Sequence, residues 1–271
     1  MAHRRHRVAA AFLVLAALGA LAASHDKTVS IQAAITGQDP GQAPEISTEE
    51  LRLVLLSGSA AVLDARSRSE YDMGHIPGAR SAAPKVAGST SGDMADIAEV
   101  NRAVDGDKKK PVVLYGNGPF CEKSRRLADD LRAAGFTNVR RYQLGMPVWR
   151  ALGGPCEMSF QAFWSILQKD QTAVVIDARE AADFRALSLP GSRNIPRSLM
   201  REGKDVGEIK KAKEDGRLPL NDYNTRIIVF GSDGASARYV AGAITNEAFH
   251  NVSYLEGSFA QTKAAGDSLS K

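Results

Sequence analysis

The sequence predicts an α/β protein built from two tandem copies of one unit, each a parallel sheet flanked by helices. Three observations carry that reading. Val62-Leu63-Asp64-Ala65-Arg66 returns as Val175-Ile176-Asp177-Ala178-Arg179, and the register then holds, with Ile76-Pro77-Gly78 over Leu189-Pro190-Gly191 and Arg80 over Arg193. Further on, Val112-Val113-Leu114-Tyr115-Gly116 matches Ile227-Ile228-Val229-Phe230-Gly231, and Gly135-Phe136 matches Ala248-Phe249. Short all-apolar runs at 60–63 and 112–115 suit strands buried on both faces of a parallel sheet. Helical stretches alternate with them, notably 124–134, where Leu127, Ala128 and Leu131 share a face. A repeat spacing of about 113 residues is too long for a solenoid and suits a duplicated domain.

Taken in order, the elements begin with a leader. Residues 1–7 are basic, 8–18 are an unbroken apolar run, and Ala20-Leu21-Ala22 offers a small-residue cleavage site. Residues 1–22 therefore predict a secretory signal peptide and a periplasmic or secreted protein, with no membrane attachment after cleavage. The alternative, an uncleaved anchor, asks for about 20 apolar residues, more than this run supplies. Residues 23–44 predict an N-terminal extension. The first unit is assigned to 45–155 and the second to 156–271, split near Pro155. Ser47 with Glu50 three residues on predicts a capping box, and Leu51, Val54 and Leu55 give that helix its apolar face. Residues 89–110 and 200–220 read as polar insertions at matching places in the two copies.

Composition narrows the function. A chain of 271 residues with 44% hydrophobic and 24% charged residues is neither disordered nor collagen-like. The formal charge is +4, but Arg4, Arg5 and Arg7 lie in the leader and leave only +1 without it. That balance predicts no nucleic-acid partner. The five histidines are scattered and the two cysteines, Cys121 and Cys156, stand apart, so no metal and no cofactor is expected. Whether the two thiols pair is a matter of geometry.

Cys121 follows a buried strand and a glycine-bearing turn and precedes a helix. There, unpaired backbone N–H groups and the helix dipole favour an anion, and Lys123, Arg125 and Arg126 add positive charge. Both effects favour the nucleophilic thiolate. The bland alternative is an inert buried thiol, which the polar Asn-Gly-Pro and Glu-Lys-Ser-Arg-Arg surroundings argue against.

At these residues the sequence resembles the rhodanese (sulfurtransferase) family, over 45–262. Asp64-Ala65-Arg66 with Glu70-Tyr71 and Gly74-His75-Ile76-Pro77-Gly78-Ala79 resembles the family's amino-terminal motif. The strand, Cys121 and the basic stretch after it resemble its active-site loop, and Gly145, Trp149 and Gly153-Gly154-Pro155 its carboxy-terminal motif. The resemblance implies that Cys121 takes a sulfane sulfur from a small donor such as thiosulfate and passes it to a thiol or cyanide acceptor, or to a protein acceptor. It further implies that Glu122, Lys123, Ser124, Arg125 and Arg126 cradle the persulfide with their amides, and that Asp64, Arg66 and His75 brace the loop. Cysteine phosphatases place an arginine six positions after the nucleophile, whereas Arg126 stands at five and Leu127 at six, which favours sulfur over a phosphoryl group. The second copy has no thiol in the matching loop. That loop is two residues shorter, and Gly234 falls at the place of Cys121. A structural second half is expected, the reverse of the common order in the family. The competing reading is a non-enzymatic sulfane-sulfur carrier or binding module.

Overall fold

The computed structural model describes residues 42–83, 96–200 and 206–269. The leader and most of the extension lie outside the described residues. Helix α1, Thr48–Ser57, opens the first half behind the capping box, with Ser47 and Glu50 exchanging bonds at each other's backbone N–H. It is followed by β1 (Ala61–Asp64), α2 (Arg68–Met73), β2 (Arg80–Ser81) and α3 (Ile97–Ala103). Then come β3 (Val112–Tyr115), α4 (Glu122–Ala133), β4 (Val139–Tyr142) and α5 (Gly145–Ala151). The strands pair in parallel in the order β2-β1-β3-β4. Residues 44–46 run alongside β4, exchanging backbone bonds with Arg141. Ala43, just before them, is also buried.

The second half repeats the plan. It consists of β5 (Glu157–Met158), α6 (Phe160–Lys169), β6 (Val174–Asp177), α7 (Ala181–Ala186) and β7 (Arg193–Asn194), then α8 (Val206–Glu214), β8 (Ile227–Gly231), α9 (Gly234–Asn246), β9 (Val252–Ser258) and α10 (Phe259–Leu269). Its parallel sheet runs β5-β9-β8-β6-β7. The two expected polar insertions each contain a helix, α3 and α8. Val100 of α3 and Ile209 and Ala212 of α8 are fully buried, so a single apolar stripe in a charged stretch was enough to dock each one.

Both sheets bury both faces, which is why β3 and β8 read as continuous apolar runs. In the first half Leu63, Leu114, Leu127 and Leu131 pack on one face, and Val62, Val113, Tyr142 and Trp149 on the other. Each such side chain contributes roughly 1.5–3 kcal/mol by leaving water.

The repeated Asp-Ala-Arg is a buried ion pair at a strand end. Arg66 reaches back to Asp64 at 2.6 Å and donates to the Gly74 carbonyl at 2.8 Å. Arg179 does the same with Asp177 at 2.7 Å and the Leu187 carbonyl at 2.6 Å. Each pair pins the turn after the following helix to the sheet. Asp64→Ala leaves the Arg66 guanidinium buried without its counter-charge, a loss of about 3–5 kcal/mol. Urea unfolding should show that drop, and a midpoint unchanged from wild type would contradict this role for the pair.

Candidate functional site

Tyr115 is the last residue of β3, and the chain then turns through Gly116, Asn117, Gly118, Pro119 and Phe120 to reach α4. Gly118 takes φ +109° and its carbonyl accepts from the Cys121 amide at 3.0 Å, closing the turn. Cys121 is the N-cap of α4 and its side chain makes no capping bond. The thiol instead folds over Gly116, where an added Cβ would stand 2.4 Å from Cys121 Sγ. No side chain fits at Gly116 with the sulfur in place.

The loop is clamped from behind. The Met146 amide donates to the Gly116 carbonyl at 3.0 Å, and Gly145, at φ +64°, lies so close that a Cβ there would meet that carbonyl at 2.3 Å. From the front, the Asn117 amide donates to Glu70. Burial raises the Glu70 carboxyl, but bonds from Ser67, Asn117 and the Ser67 backbone, with the nearby Arg66 charge, hold it below the usual range. Phe120 is 92% exposed at the lip of the site.

The residues expected to cradle the sulfur follow Cys121 directly. Glu122 through Arg126 are the first turns of α4, and the loop lies before the cysteine. The Cys121 carbonyl accepts from the Ser124 hydroxyl at 3.2 Å at the first turn of that helix. The amides of Glu122, Lys123 and Ser124 are left to face an anion. The side chains of Arg125 and Arg126 are exposed and pair with Glu122 at 3.7 and 3.0 Å. Ser124 is 2% exposed.

The expected supporting residues separate. Arg66 meets the loop through Tyr115, whose ring lies 5.8 Å from its guanidinium and whose hydroxyl accepts from the Ile76 amide at 3.2 Å, and through Glu70, which accepts from Asn117. His75 faces the second half, with its ring and backbone held by Tyr71 and Glu157. It stacks on Tyr71 at 3.7 Å and exchanges both backbone bonds with Glu157, while its Nε2 lies 3.6 Å from the Glu157 carboxyl.

Cys156 is 2% exposed among Val62, Tyr115, Tyr142 and Trp149, with burial raising its thiol. Both cysteines are free thiols.

In the second half, Ala237, Val240, Ala241 and Ile244 are buried along α9 as Ser124, Leu127, Ala128 and Leu131 are along α4. That phase puts Gly234 opposite Cys121, as the spacing predicts. A Cβ at Gly234 would strike the Glu256 carbonyl at 2.1 Å, so backbone fills the place of the thiol. Asp233 caps α9 with its own carboxylate, accepting from the Ser236 amide at 2.7 Å. Ser232 bonds that same carboxylate at 3.3 Å. This helix end has already supplied its own anion.

Sequence alone does not single out Arg141, which is 3% exposed beneath the start of α4 with Nη2 3.5 Å from Ser124 Oγ. The available signal was an arginine at an inward position of a core strand, where the repeat has Tyr254. Among the described residues, no group of His, Cys, Asp and Glu has the arrangement of a metal site.

The Rhodanese-like domain family matches residues 47–152 and again 159–265. The chain belongs to that family. Its two copies are thus two rhodanese-like domains in tandem. An HTH-type transcriptional regulator of Mycobacterium tuberculosis, Rv0324, is 29% identical over 137 residues, which is 51% of this chain and 54% of the regulator. The chain spans about half the length of that relative. Solved structures of EanB are also similar, one in its wild-type form and one in complex with hercynine, each 20% identical with a TM-score of 0.37. Those matches cover 84% of this chain and 62% of EanB. Among the described residues no helix is long and apolar enough to cross a membrane.

Where the two rhodanese-like domains meet, Glu157 and Glu256 face each other. Burial raises Glu157, but the His75 bond and charge, the Glu256 bond and Arg238 leave it lowered. The Glu157 charge raises Glu256, with their mutual bond and burial adding to the rise. A raised carboxyl contributes stability while it holds its proton, and loses that contribution as pH rises through its folded pKa. Glu256→Gln keeps a donor for Glu157 and removes the like charge. Urea midpoints should therefore rise for Glu256→Gln at pH 7, with the gain shrinking toward about pH 4, where the native carboxyl carries its proton. An equal effect at both pH values would contradict the raised Glu256 carboxyl.

Proposed function

We propose that the protein is a sulfurtransferase that carries sulfane sulfur on Cys121. The observation that supports this most is the half-exposed thiol at the start of α4, beside amides that no side chain caps. In the first step the Cys121 thiolate attacks the outer sulfur of thiosulfate. The S–S bond of the donor breaks, sulfite leaves with the electron pair, and Cys121 holds a persulfide anion. In the second step an acceptor thiolate or cyanide attacks the terminal sulfur, and Cys121 departs as thiolate. Each transfer is a two-electron displacement with no external oxidant. The Glu122, Lys123 and Ser124 amides face the charge that both steps place on sulfur.

The second domain serves as a structural half in this reading, because its loop has neither a thiol nor an open helix end. Export to the periplasm or the medium is part of the proposal and rests on the basic head, apolar core and cleavage site of residues 1–22. An intact mass beginning at Ala23 checks it, and a full-length cytoplasmic protein would contradict it.

Steady-state transfer from thiosulfate tests the chemistry. Cys121→Ser should remove transfer entirely, since a hydroxyl does not hold sulfane sulfur at neutral pH. Cys156→Ser should keep the wild-type rate once folded, at a modest cost in stability for a buried hydroxyl. Full activity in Cys121→Ser would refute the proposal, and loss of activity in a folded Cys156→Ser would replace it with a two-thiol mechanism.

A further inference from the structure

Arg141 is the least satisfied charge among the described residues near the site. The residue is 3% exposed, and its Nε is buried without a hydrogen-bond partner. An unpaired buried cation is costly, and the fold retains this one in a core strand. The groups facing it are few. Glu45, from the segment beside β4, has an Oε1 that is itself buried without a partner. From α4 come Arg125, Asp129 and Cys121. Burial pushes the Arg141 guanidinium down, Glu45, Cys121 and Asp129 oppose that, and Arg125 adds to it. The tip of the side chain points at the thiol's neighbour. Arg141 Nη2 is 3.5 Å from Ser124 Oγ, and Ser124 Oγ and Cys121 Sγ converge on Gly116, at 3.4 and 2.4 Å from the same added Cβ.

We propose that Arg141 is a positioning residue for the sulfur anion, supplying from beneath α4 the positive charge that the Glu122, Lys123 and Ser124 amides complement from the helix end. The inference rests on the Cys121 reading of the site and extends it. The bound species is a singly charged sulfur anion, thiolate or persulfide, and that anion is the counter-charge Arg141 otherwise lacks. Glu45 competes for the same guanidinium, so the two residues act on Cys121 with opposite sign.

The test is alkylation of Cys121 by monobromobimane across pH, in the full chain carrying Cys156→Ser so that one thiol reports. Arg141→Met removes the charge while filling its volume, and such replacements of buried ionic groups are often well tolerated. At about pH 6.5 its rate should fall about tenfold and recover toward wild type near pH 9, a recovery that a distorted site would not show. Arg141→Lys should stay within about twofold of wild type, because the charge remains. Glu45→Gln should react faster than wild type at the lower pH. An unchanged pH profile in Arg141→Met, or the same direction of change in Arg141→Met and Glu45→Gln, would overturn the proposal. If Arg141→Met does not fold, Glu45→Gln decides alone, and no acceleration there refutes it. No sulfur donor enters this measurement, so a protein that takes no sulfur from thiosulfate would fail the transferase reading and leave the Arg141 result standing.

Discussion

A side chain cannot be added at Gly116 or at Gly145 without striking the turn that carries Cys121, and the site depends on that close packing. Gly145 presses the backbone of Gly116 and Gly118 from one side, and the thiol lies on Gly116 from the other. With its backbone fixed in this way, the loop delivers Cys121 as the N-cap of α4 at the carboxyl end of β3. Parallel α/β sheets place their sites at that end, because the strands stop there and the helix amides point outward. The turn needs glycine twice for different reasons. Gly145 requires a left-handed backbone, and Gly116 requires room for sulfur.

The two halves show how one frame yields an open site and a closed one. Both keep the buried Asp-x-Arg pair, the buried strand after it and the same helix phase. Two residues fewer in the second loop bring Glu256 backbone against Gly234, and Asp233 caps the helix from within. The first helix end has no such cap and sits above a buried guanidinium. The contrast is electrostatic as much as steric, since one helix end carries its own carboxylate and the other leaves its dipole for an incoming anion.

Much of this was readable in the sequence, and the rest failed for identifiable reasons. The repeat located the strands, the helix phase and the place of Gly234, because burial on both sheet faces writes a continuous apolar run. The Ser47 capping box and Cys121 at a helix start followed from local chemistry. That the Arg125 and Arg126 side chains pair with Glu122 did not, because motif spacing counts residues without saying which face of the helix they occupy. His75 was placed by its motif neighbours, while its partner, Glu157, lies far along the chain. Arg141 went unnoticed because a charged residue in a strand acquires meaning only when the helix above it is known.

The central claim is that sulfur resides on Cys121 and nowhere else in the chain. Peptide mapping by mass spectrometry, after incubation of the full chain with thiosulfate and removal of excess donor, tests it most directly. One additional sulfur on the peptide containing Cys121, none on the peptide containing Cys156, and loss of the adduct on addition of cyanide is the expected result. Sulfur on the Cys156 peptide, or a disulfide joining the two peptides with no persulfide, would contradict the account.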